Sequence, residues 1–489
     1  MNPVYGSLTR CNDQTMQALE DYKISPVTGC LLGQPTTPPP SLLPFRRLLE
    51  HSHELLNSGK LRESIEKLPT LDMAQLKSHE EKRLAHKILA FLAAQYVWQN
   101  GDRNPAEILP AVIAMPLIEV SIELGCQPLL GHIDLVLSNC FPEKTQLLQR
   151  QVFFTEFIPS DQPNWLPFIE VTADIELSFC DGAKIMMHII NSVQKNNTKT
   201  AVECLIKLGD VISIMRQQLL LLLNTHQFIP DGCALSGLGG LQMQQLFMNS
   251  LIKIHLFYTM QLACVDEELF LEKEPGLHFI TLKTLLTHLY SAFAHLLIEE
   301  LDPKAFYCEM RPFLSGWSHG KISKGLVYEG VPDSVLTGAE TGDLSGETIP
   351  KKRVYLGASA GQSISLQSFD AFLGIEHFKD VEKFFADLRK YMILEHRHFI
   401  EDLKQHVHLR DFVERSSSKE LKTAYNSCVN ELLLFRKDHL LIVEKFIIAP
   451  SKMYAAKVES LKSQGTGGTA LDQFLESVIA RTEAALIQC

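Results

Sequence analysis

VNELLLFRKDHLLIVEKFIIAP, residues Val429 to Pro450, sets Leu432, Phe435, His439, Ile442, Val443 and Phe446 at steps of three and four residues. On a helix these positions share one apolar stripe, and Glu431, Lys437, Asp438, Glu444 and Lys445 fall largely off it. A histidine therefore points into a core. Arg436 lies one turn earlier, at the edge of the same stripe, so an imidazole and a guanidinium address one buried spot. Two readings are open. His439 is a hydrogen-bonded core residue, as a single histidine on an apolar face commonly is. Alternatively the pair serves a haem, with the neutral imidazole ligating iron and the guanidinium neutralising a propionate carboxylate.

The surrounding composition is that of an ordinary soluble globular protein, with 46% hydrophobic and 21% charged residues in 489. That length accommodates two or three domains and a large core. A formal net charge of −11 with no basic block argues against a nucleic-acid partner, because phosphate backbones would be repelled. Eleven cysteines without a CxxC pair point to reduced thiols in a cytoplasmic protein rather than a disulfide framework or zinc site. MNPVYGSLTRCNDQT lacks the apolar run of a secretory signal. The longest apolar candidate, Leu241 to Val265, is broken by Gln242, Gln244, Gln245, Asn249, Lys253, His255 and Gln261, so no membrane span is expected.

Read in order, the chain is all-α. Pro38 to Pro40 and Pro44 mark an extended lead-in, and helical patterns follow over Arg46 to Ser58, Lys60 to Lys67, Met73 to Asn100 and Pro105 to Leu124. Pro159 and Pro163 then interrupt the pattern, which suggests a small N-terminal helical domain over residues 1–160 and a larger helical domain over 161–489. Helices are expected over Trp165 to Asn191, Ala201 to Leu223, Leu285 to Leu297, Ser363 to Lys390, Glu395 to Asn430 and Ala470 to Ile487. A long Gly/Ser-rich loop from Ser318 to Gly361 allows close approach to a ligand.

Chemistry-bearing groups are few. Arg311 sits among Phe306, Tyr307, Met310, Phe313 and Leu314, where a guanidinium suits bidentate capture of a carboxylate and the aromatics suit a flat ring; a salt bridge to Glu309 is the structural alternative. Asp370, in FDAFLG, is a candidate acceptor for a ligating imidazole, a partner for Arg436, or a solvated charge. GTGGT at Gly465 to Thr469 precedes a helix but lacks the lysine of a nucleotide loop, so a turn closing over a polar substrate group is the better functional reading. No GxSxG, HExxH or GxGxxG signature is present.

Taken in order, RLAHKILAFLAAQYVWQNG (Arg83 to Gly101), LPAVIAMPLIEVS (Leu109 to Ser121), RPFLSGW (Arg311 to Trp317), GLVYEG (Gly325 to Gly330), GASAGQS (Gly357 to Ser363), FDAFLG, FRKDHLLIVEKFII (Phe435 to Ile448) and GTGGT resemble the indoleamine 2,3-dioxygenase family. The likeness implies an all-α fold whose larger C-terminal domain binds haem b. It also implies oxidation of L-tryptophan by O₂ to N-formylkynurenine, with an electron donor keeping the iron ferrous. On that resemblance His439 is the proximal iron ligand, Asp370 its outer partner and Arg436 a propionate contact. Arg311 takes the substrate carboxylate, with Phe306 and Tyr307 against the indole. Thr172 and Phe168 line the distal pocket, Ser359 and Ala360 come from the loop over the haem, and Thr466 belongs to the closing loop.

The chain departs from the family pattern in an apparent insertion at about residues 224–283, in a long loop between Gly330 and Gly357, and in Tyr307 where a Phe is usual. These departures keep two other readings open: a haem-binding sensor or signalling paralogue of slight turnover, and a helical interaction protein with His439 in its core. A monomer is expected.

Overall fold

Ser78 begins the first long helix. Its hydroxyl accepts from the Glu81 N–H at 3.1 Å and the Glu81 carboxylate accepts from the Ser78 N–H at 2.9 Å, so two otherwise orphaned donors are satisfied. A computed structural model describes residues 16–102, 104–147, 150–158, 165–223, 301–335, 352–454 and 471–488. The capped helix, α1 (His79–Trp98), is buried on nearly every side and packs against α2 (Ala111–Leu124). The helical pattern expected from Pro105 starts later, because Ile108–Leu109 is drawn into a parallel pairing with Leu326–Tyr328 and Pro110 precedes the first turn. Lys352–Arg353 completes that small sheet on its other side.

Three long helices follow one another in contact. α3 (Leu166–Gln194) turns through Asn196, at φ 52°, into α4 (Thr198–Leu220), whose first turn is capped by Asn197. α4 packs in turn against α8 (Lys419–Val443), the helix of the apolar stripe. Between them in sequence come α5 (Ile364–Leu373), α6 (Lys379–Arg389) and α7 (Leu394–His406). The pattern read as one helix from Ser363 to Lys390 is thus two, because Gly374 ends α5 at φ 65°, a left-handed conformation that a side chain would strain. An antiparallel hairpin, Cys140–Leu147 with Arg150–Thr155, was not expected in an all-α chain; it pairs Phe141 with Phe154 and Pro142 with Phe153.

α8 starts on a Ser418 cap and continues through a π turn, Glu444–Ile448, and α9 (Leu471–Glu483) lies against it. The fold is mostly helical: one large buried apolar cluster runs from Leu19 to Ala485, and a smaller one, Val381, Phe385, Leu388 and Val478, lies where α6 meets α9. No helix among the described residues is long and apolar enough to cross a membrane. The expected helix at Leu285 to Leu297, the stretch 224–283 and GTGGT lie outside the described residues.

Candidate active site

Two glycines bring the separate pieces together. Trp317 N–H donates to the Tyr355 carbonyl at 2.8 Å and Ala358 N–H to the Leu314 carbonyl at 2.9 Å, so RPFLSGW and GASAGQS cross backbone against backbone. A Cβ on Gly316 would stand 2.2 Å from the Tyr355 oxygen, and one on Gly357 2.3 Å from the Leu314 oxygen. Only glycine permits that approach. The crossing places Arg311, at the head of the short helix Arg311–Leu314, beside the loop that carries Ser359 and Ala360.

Both border a single cavity of about 1340 Å³, its open mouth included. Phe168, Phe306, Arg311, Ser359, Ala360, Asp370, Arg436 and His439 all line it, together with Phe435, Ile442, Val443 and Phe446 from the apolar stripe. The walls are chiefly aromatic and aliphatic. Phe306 is the centre of one wall, 5.3 Å from the Phe168 ring and 5.7 Å, edge to face, from Phe446. The sequence had joined these residues only through the family likeness; the structure brings them to one space.

His439 borders the cavity and makes no hydrogen bond to a described residue. Burial first, then the Arg436 charge, pushes its imidazole down to about 4, so the ring is neutral near pH 7. Arg311 is almost fully buried, with its guanidinium over the Tyr307 ring at 5.2 Å. Burial pulls that guanidinium down to about 10 against the opposing pull of Tyr307, which leaves it cationic at neutral pH.

Asp370 does not reach His439. Its Oδ1 accepts from Arg436 Nη2 at 2.6 Å and its Oδ2 faces His377 Nε2 at 2.9 Å, while Arg436 Nη1 donates to the Thr482 hydroxyl. Burial disfavours the carboxylate, but the Arg436 and His377 contacts outweigh it and hold Asp370 below the usual carboxylate range. The expected role of outer partner to His439 is corrected accordingly: both oxygens are directed to Arg436 and His377.

Two expected pocket residues lie outside the lining. Tyr307 follows Phe306 by one position in the π turn Phe306–Met310, so its side chain leaves in another direction and is fully buried against Arg311. Thr172 lies one turn beyond Phe168, and its hydroxyl donates back to the Phe168 carbonyl at 2.7 Å. Thr466 lies outside the described residues. His377, Thr482 and the α9 residues Phe474, Leu475 and Val478 had not been anticipated. Only the apolar spacing of α9 hinted at its part.

A family model described as indoleamine 2,3-dioxygenase matches residues 18–227 and 276–485. Homo sapiens indoleamine 2,3-dioxygenase 2 is 30% identical over 482 residues, covering 96% of each chain. Mus musculus indoleamine 2,3-dioxygenase 1 is 30% identical over 484 residues, again 96% of each. A Haliotis diversicolor myoglobin is 26% identical over 471 residues, 95% of this chain and 98% of that one. The matched segments contain every residue that lines the cavity, and with a match this long the chain belongs to the indoleamine 2,3-dioxygenase family.

Proposed function

We propose that this protein is a haem-dependent dioxygenase that inserts both atoms of O₂ into the indole ring of L-tryptophan, giving N-formylkynurenine. The observation that carries the reading is that a neutral imidazole, His439, and a buried cation, Arg311, border the same largely apolar cavity. Family membership supplies the reaction class.

The residues suit haem b. His439 offers a neutral nitrogen with no competing hydrogen bond among the described residues, and Arg436 presents a cation on the same wall for a propionate. Bound there, haem b would supply a ferrous centre that binds and activates O₂, with an external electron donor keeping it reduced. The chain does the rest. Arg311 fixes the amino-acid carboxylate, and Phe168, Phe306 and Phe446 give the indole a flat apolar wall, which orients the ring and keeps water out. Thr172 keeps its proton on the Phe168 carbonyl, so it contributes no strong acid or base. Ser359 and Ala360 border the site from their loop, and Thr466 is assigned to the segment that closes over the substrate. A cytoplasmic monomer acting without membrane or nucleic acid fits this reading.

A second reading, a haem protein of slight turnover acting as a sensor, draws support from the similarity to a protein named myoglobin. Anaerobic reduction of the haem-loaded protein, followed by O₂ and L-tryptophan, separates the two. Formation of the ring-opened product over many turnovers is expected. Stable O₂ binding without product would overturn the dioxygenase reading and favour the second.

A further inference from the structure

His377 lies seven residues beyond Asp370 in sequence yet faces it in space. Gly374 ends α5 at φ 65°, and the chain folds back so that the imidazole returns to the carboxylate of the same helix. The ring is packed edge to face on Phe385 at 5.2 Å and its side chain is 2% exposed. Its Nδ1 is buried without a hydrogen-bond partner among the described residues. An ionised carboxylate only accepts, so Nε2 carries the proton and donates to Asp370 Oδ2.

A buried carboxylate with one bare oxygen would draw a neighbouring guanidinium onto both of its oxygens, because the fork of arginine matches that geometry. Here His377 takes Oδ2. Arg436 is left with a single bond to Oδ1 and a second to the Thr482 hydroxyl, and the guanidinium stays in the cavity wall.

We infer that His377 is a positioning residue: by occupying Asp370 Oδ2 it holds Arg436 at the cavity wall, where the guanidinium selects a cofactor that carries carboxylates. The inference rests on the haem reading above but concerns how the carboxylate end is recognised, and its test does not depend on turnover. The apo-protein is titrated with haem b and with its dimethyl ester, which lacks the carboxylates, and the Soret band reports uptake and loss. Wild type should hold haem b more tightly than the ester. His377→Leu should reduce that preference about tenfold or more, as loss of an outer partner commonly does. His377→Gln, which retains an N–H donor of similar reach, should keep most of it.

The inference is overturned if His377→Leu keeps the wild-type preference, or if it weakens haem b and ester equally, since that is general packing loss. Equal binding of both porphyrins by wild type would overturn it too, through Arg436. Uptake of neither by wild type would sink the haem reading itself, a distinct result. Should His377→Leu fail to fold, His377→Asn, too short to reach Asp370, takes its place.

Discussion

Arg311 is cationic and His439 neutral near pH 7, and the role proposed for each gives a measurable consequence. Arg311→Ala removes a buried cation that would meet a carboxylate, a contact worth about 2–4 kcal/mol, so kcat/KM for tryptophan should fall by roughly 30-fold to 10³-fold. Haem uptake should be spared. Arg311→Lys should recover little, since an ammonium lacks the planar fork. Unchanged turnover in Arg311→Ala would remove the carboxylate role. His439 is already neutral well below the ordinary histidine range, at about 4. Haem uptake at pH 5.5 should therefore nearly equal uptake at pH 7, as measured by Soret titration. An ordinary imidazole would be about nine-tenths protonated at that pH, and a tenfold weakening there would contradict the assignment. His439 was legible because apolar spacing singled it out. The Asp370 partnership with His377 was not, because it depends on a turn at Gly374 that no helical period announces.

The site is assembled where two loops cross, so its elements should be sensitive to a single methyl group. Gly316→Ala or Gly357→Ala places a Cβ within 2.2 Å or 2.3 Å of a backbone oxygen, and neither backbone can yield without losing its cross-chain hydrogen bonds. Each should cost about 1–3 kcal/mol or more in urea unfolding and weaken haem retention. Stability and retention equal to wild type would show that the crossing is not what positions Arg311 and Ser359. The motifs RPFLSGW and GASAGQS were visible as sequence, but their contact joins segments far apart in the chain and lay beyond any local pattern. The long helices were easier. Their apolar faces and the caps at Ser78 and Ser418 are local features, whereas the hairpin at Cys140–Leu147 and Arg150–Thr155 depends on pairing.

Across the molecule, burial also holds other histidines neutral: His396 is pushed down to about 3, by burial and then by Arg83. In the apo-protein His396 and His439 bind no proton above about pH 5, whereas unfolded histidines take one up below about pH 6.5. The unfolded state then holds more protons, so stability rises with pH through this window. From these two imidazoles alone the apo-protein should be roughly 3 kcal/mol less stable at pH 5 than at pH 6.5, readable by urea unfolding at each pH. Because His86, held against its burial above the ordinary range by Asp134, contributes with the opposite sign, the test is the difference made by His396→Gln, which should flatten the loss towards pH 5; an unchanged slope would mean that this ring is not held neutral. The proposed function places iron on His439, and the Soret spectrum of His439→Gly loaded with haem, with and without free imidazole, tests that ligation most directly. A band lost or displaced in the variant and restored when imidazole fills the vacated space is expected. A variant whose spectrum matches wild type without imidazole would contradict it.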